Sequence, residues 1–223
     1  WSLGLQSISA LLANENIQNM NLIASSNGFR QSVQLRLDQL DLQKTHQLLE
    51  RSGVLGKERL HQTLLTLQPE GILSNLEITF PYQSAKNWKM ATNLQNVKVS
   101  AWQGAPALTG VDGYLQVNAK GGFVSIDSQN GFSMFYPGVY AEPMVYQRLF
   151  GQVAWHLQKE NNKVYVNSGR LNFFDGDEQT SGYMWLSTPW FKGTNNMDLY
   201  LQIGSRQLPA SQYKKYTPKT LSE

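Results

Sequence analysis

The chain has 223 residues and a formal net charge of +3, with 19 Lys and Arg against 16 Asp and Glu. Charged residues make up only 16%, while 17 Asn, 21 Gln and an aromatic share of 11% leave the chain polar, weakly ionic and too rich in rings for disorder. The longest aliphatic run, Ala10 to Ala13, is far short of the ~20 residues of a membrane-spanning helix, and the lack of cysteine excludes disulfides, thiolate metal sites and a cysteine nucleophile.

The charge is uneven. Residues 206–223 hold Arg206, Lys214, Lys215 and Lys219 against Glu223, so they carry the whole excess and residues 1–205 are balanced. A folded body without a basic stripe argues against nucleic acid as a partner. Two regions follow: a single β-rich segment over 1–205, and a basic C-terminal segment over 206–223 that leads to the next part of the chain. Trp1 opens directly in a strand-like pattern without methionine, which predicts a piece of something longer.

In chain order, Met20, Leu22 and Ala24 alternate, and after a turn at Asn27-Gly28 so do Val33, Leu35 and Leu37. Residues 44–67 break the rule. Leu48, Leu49, Leu55, Leu60, Leu64, Leu65 and Leu67 recur at helical spacing, and Gly53 and Gly56 divide them into two short helices. Asp41 is placed to cap the first, and Pro69 and Gly71 end the second.

Alternation then resumes. Leu76, Ile78 and Phe80 form a strand that stops at Pro81. Trp88 and Met90 open another, which Val97, Val99 and Ala101 continue in the opposite phase, so a bulge or bend is expected between them. Val111, Leu115 and Val117 share one parity, Gly121-Gly122 predicts a hairpin turn, and Val124 and Ile126 return. Val153, Trp155 and Leu157 alternate with polar neighbours including His156, and turns follow at Asn161-Asn162 and Asp175-Gly176-Asp177. Met184 and Leu186, then Met197, Leu199, Leu201 and Ile203, close the series. The fold class is mainly β: an antiparallel meander of about ten strands or more, one face apolar and one polar, with a helix pair inserted near 44–67.

Catalytic and metal chemistry finds no support. His46, His61 and His156 lie in unrelated contexts, and counting a calcium loop from Asp175 puts Leu186 where a glutamate is needed. No nucleophile elbow, phosphate loop or dinucleotide fingerprint occurs. No catalytic residue, cofactor or metal is therefore assigned. Phe132, Phe135, Tyr136, Tyr140 and Tyr146 cluster in a Pro-containing stretch. They fit a sugar-stacking surface, but ordinary cross-strand partners are the favoured reading.

Several stretches together resemble the AsmA-like, YhdP-type family. They are Ala101-Trp102-x-Gly104-x-Pro106 with Leu108-x-Gly110-Val111-x-Gly113, then Gly122-x-Val124-x-Ile126-Asp127-Ser128, then Glu142-Pro143-Met144 and Leu149-x-Gly151-x-Val153-x-Trp155. Leu67-x-Pro69-x-Gly71 upstream is similar as well, and Tyr216-Thr217-Pro218 departs from the family's Tyr-Leu-Pro at its middle position. The ordered likeness covers about 42–218.

The resemblance implies a large, non-enzymatic envelope protein of Gram-negative bacteria, periplasmic and anchored to the inner membrane by a segment outside these residues. It implies a long curved sheet shaped as a trough, in which phospholipid acyl chains pass between inner and outer membranes, and a monomer. With the apolar parity, it makes Val111, Leu115, Val117, Val124, Ile126, Val153, Trp155, Leu157, Leu199, Leu201 and Ile203 the expected groove lining. Two other readings stay open: an assembly scaffold of the envelope, and a carbohydrate-binding β-sandwich, since a sandwich closed on itself shows the same alternation.

Overall fold

A computed structural model describes residues 1–12, 15–26, 32–52, 65–81, 87–102, 105–189, 198–206 and 215–221. Their strands form one 14-stranded antiparallel sheet. The first five are β1 (Ser2–Leu12), β2 (Glu15–Ser26), β3 (Ser32–Asp41), β4 (Glu70–Pro81) and β5 (Lys89–Val99). Next come β6 (Ala107–Asn118), β7 (Gly121–Ser128), β8 (Phe132–Phe135), β9 (Met144–Tyr146) and β10 (Arg148–Gln158). The last are β11 (Lys163–Ser168), β12 (Leu171–Asp175), β13 (Glu178–Pro189) and β14 (Asp198–Arg206).

Consecutive strands pair as a meander from β1 to β7, and β10 then continues the sheet beside β7. Beyond it, β11 and β12 behave as one broken strand. Both pair β10 on one side and β13 on the other, with the break at Gly169-Arg170. β7 and β8 are likewise successive pieces laid along β6. The small strands β8 and β9 pair with each other and extend one end of the sheet.

The expected phase slip is a bulge between Leu94 and Val97, where Asn96 takes φ 48°. Its amide donates to Asp112 Oδ1 at 2.7 Å, so the unpaired N–H is satisfied. Only glycine fits at position 71, where φ is +105° and a Cβ would meet Asn96 O at 2.7 Å.

The Gly121-Gly122 turn is corrected. The hairpin exists, but Asn118 pairs Gly121 and the loop is Ala119-Lys120, so both glycines are strand residues. Asn161-Asn162 does sit in a turn, with Asn162 at φ 54°, and Gly176-Asp177 is a two-residue loop between Asp175 and Glu178 with Gly176 at φ +63°.

Helix α1 spans Leu42–Ser52. Asp41 caps it as expected, accepting from the Lys44 amide at 3.0 Å. Residues 65–67 are helical. The rest of the expected second helix, and the Asn27-Gly28 turn, lie outside the described residues.

The core sits towards the β8–β9 end. Leu73, Leu94, Val97, Val111, Ile126, Phe132, Met144, Tyr146 and Leu149 form one buried cluster. The ring stretch 132–146 is thus partly core: Phe132 and Tyr146 are each 4% exposed and both face Phe173. That agrees with cross-strand partners and removes these two rings from any sugar-stacking surface. The C-terminal residues dock on the same end. Tyr146 donates from its hydroxyl to Tyr216 Oη at 3.4 Å, and Lys215 pairs Asp175 at 3.2 Å while lying 3.9 Å from the Tyr146 ring centre.

Candidate functional site

Register places one residue from each long strand in a line across the sheet. On one face that line begins Leu3, Ala24, Leu35, Ile78, Met90 and Val117. It continues through Gly122, Trp155, Val166, Leu186 and Leu199. Every member is apolar. Strands lie about 4.8 Å apart, so the line runs for roughly 48 Å.

One residue along each strand, the opposite face presents a polar line. It reads Ser2, Ser25, Gln34, Thr79, Lys89 and Asn118. Then come Gly121, His156, Tyr165, Ser187 and Asp198. A one-residue slip in any strand would exchange the two lines.

Gly122 is the one apolar-line position without a side chain, and Trp155 covers it. A Cβ on Gly122 would lie 2.9 Å from Trp155 Cζ2 and 2.4 Å from Gln116 O. The indole therefore needs this glycine to lie flat on the sheet.

The expected lining residues fall into three groups. Val111 and Ile126 are buried in the protein core. Leu115, Val124 and Val153 are half-buried and pack on its flank, in register with one another. Val117, Trp155 and Leu157 lie beyond the core cluster, half-buried, and Leu199, Leu201 and Ile203 are exposed on β14. All eleven share the apolar face. Sequence reasoning did not count the line's other members, among them Leu3, Ile78, Met90 and Leu186, as lining. Their parity was visible for some, but only the register shows that they continue the same line.

Electrostatics matter little here. Burial, then the hydrogen bond with Tyr216, pushes the Tyr146 phenol far above its ordinary range. Tyr136 and Tyr140 are raised by burial too. An open polar pocket of about 270 Å³ is lined by Asp41, Glu70, Asn96 and Lys98, but its Lys98 and Glu70 pair with each other at 2.9 Å. Among the described residues no group of three or more His, Asp or Glu is placed to hold a metal ion, and no helix is long and apolar enough to cross a membrane.

An apolar line across so many strands, backed by a polar one, is the pattern the sequence likeness implied. The family described as YhdP protein matches residues 1–223. The chain belongs to the YhdP family. Membership points to an AsmA-like protein of the bacterial envelope, of the lipid-transport type. No curated protein and no solved structure matches the chain.

Proposed function

We propose that the apolar face of this sheet is a section of a lipid conduit, on which phospholipid acyl chains lie along the line from Leu3 to Leu199. One observation carries the reading: that line crosses eleven strands without a polar side chain, and Val117, Trp155, Val166 and Leu199 on it lie outside the main buried cluster, although Leu186 between the last two is buried. Acyl chains supply the missing cover at about 0.8 kcal/mol per buried CH₂. Val117, Trp155, Leu157, Leu199, Leu201 and Ile203 meet lipid directly. Leu115, Val124 and Val153 form the margin, and Val111 with Ile126 underlies the end that protein fills.

Movement along such a face needs no nucleophile, metal or cofactor. The line follows the direction in which strands are added, so further strands on either side would lengthen it. The protein works in the periplasm as a monomer, passes phospholipid between inner and outer membranes, and is held to the inner membrane by other parts of its chain.

In-cell photocrosslinking tests this. A photoreactive residue replaces Val117 on the apolar line or Gln116, exposed on the opposite face. The reading expects phospholipid adducts at Val117 and none at Gln116. Equal lipid at both sites, or none at either in folded and reactive protein, overturns it.

A second reading, an assembly module, draws on the sheet margins. Among the described residues β1 and β14 each pair with one strand only, and they expose Leu3, Leu5, Leu199 and Leu201. Protein adducts in place of lipid at Val117 would favour it.

A further inference from the structure

The polar face is not uniform. Over β1–β5 its described strand residues include no aromatic ring. Over β10–β14 the rings gather. His156 stacks on Tyr165 with centroids 5.1 Å apart and planes 16° from parallel, and Tyr165 lies 6.2 Å from Trp185. Tyr200 pairs directly with Trp185 across β13 and β14. Trp185 is 40% exposed and Tyr200 60%. Four rings on four neighbouring strands thus form a platform roughly 14 Å across.

The platform is held in place by hydrogen bonds and bordered by an ion pair. Asn161 Nδ2 donates to the Tyr165 hydroxyl at 2.8 Å and to Gln158 Oε1 at 3.1 Å, which fixes one ring. Two charges beside the rings offset each other: Lys163 lies 3.5 Å from Asp198, and Asp198 also accepts from Ser187 at 2.9 Å. Asn167 pairs Trp185 in register, and Gln202 lies two residues along β14 from Tyr200; both carry amides that donate and accept. Exposed rings cost hydration unless something covers them.

We infer that this platform is a binding site for an uncharged saccharide chain. Pyranose rings present flat C–H faces to aromatic rings and hydroxyls at their edges to amides. Charge complementarity selects against the alternatives: a nucleic acid or an anionic lipid headgroup needs free cationic groups, and Lys163 beside these rings is taken by Asp198. The site lies on the face opposite the proposed lipid path and is independent of it.

The test uses the intact protein that contains this chain, in biolayer interferometry against immobilised cellotetraose and tetra-N-acetylchitotetraose, with a sulfated oligosaccharide as the charged control. At least one neutral oligomer binds, and added salt leaves that binding unchanged. Trp185→Ala and Tyr165→Ala each weaken it roughly tenfold, and Gln34→Ala, on the same face but on β3, does not. Tyr200→Ala, at a ring that is 60% exposed, provides a variant with little folding cost, and circular dichroism confirms that each variant is folded. Absence of binding to both neutral oligomers, binding that survives the ring substitutions, or binding of the sulfated oligomer alone overturns the proposal.

Discussion

Trp155 lies over Gly122, its directly paired neighbour on the adjacent strand, and its Cζ2 occupies the space 2.9 Å from where a Gly122 Cβ would stand. A large ring and an absent side chain together keep the apolar line continuous between Val117 and Val166.

Gly122→Val is therefore expected to destabilise by about 2 kcal/mol or more, since its Cβ also meets Gln116 O at 2.4 Å. Trp155→Ala instead leaves a gap, at a cost of about 2 kcal/mol for a half-buried ring. Urea unfolding of both variants checks the pair. A Gly122→Val protein as stable as the parent would show that the indole does not lie there.

A charge on the apolar line has different effects along it. Leu199 is 46% exposed, so Leu199→Asp leaves the melting temperature almost unchanged. Lipid photocrosslinking at Val117 nevertheless falls roughly tenfold or more, because acyl chains cannot solvate a carboxylate. Val153→Asp, on the flank of the core, lowers both stability and crosslinking. Unchanged adduct yield in Leu199→Asp would remove β14 from the path.

The C-terminal residues are fastened by polar contacts that a single atom can remove. The Tyr216 hydroxyl meets the Tyr146 hydroxyl at 3.4 Å and Thr180 Oγ1 at 3.2 Å. Tyr216→Phe is expected to cost about 1 kcal/mol and to speed proteolysis near residues 215–221. Lys215→Ala adds the loss of the Asp175 pair, and equal cleavage rates in parent and variants would contradict the docking.

Alkaline stability follows from Tyr146. Its folded pKa lies above the ordinary 10.0 of the unfolded chain, so the folded state holds the phenolic proton more tightly. Stability is complete below pH 10 and falls as the pH rises above it, where only the unfolded state ionises. Thermal melts between about pH 8 and pH 11 should show this fall in the parent, and a smaller one in Tyr146→Phe.

Much of the sheet was legible from residues a few positions apart. Alternation at 153–157 and 199–203, the slip between Met90 and Val97, the Asp41 cap and the Gly176 turn all depend on local backbone geometry, and the structure shows each of them. Gly121-Gly122 misled for the same reason. A glycine pair marks a tight turn in local terms, and here it answers a contact from Trp155 more than thirty positions away.

The candidate site divides the same way. Parity put all eleven expected lining residues on one face, but could not say that protein covers Val111 and Ile126 while Leu199 stays exposed. The aromatic platform was missed. His156, Tyr165, Trp185 and Tyr200 are far apart in the chain, and the ring-rich stretch that drew attention contributes Phe132 and Tyr146 to the core.

The sequence by itself determined an antiparallel sheet with one apolar face, an even charge over its body and the family likeness. These follow from a two-residue period and from short ordered motifs, which need no knowledge of distant partners. The tertiary structure decided which strands are neighbours, and hence that the apolar residues join into one line, that Trp155 meets Gly122, and that four rings share the opposite face. Strand neighbourhood is a long-range property, set by register and by what each face buries, and no local period contains it.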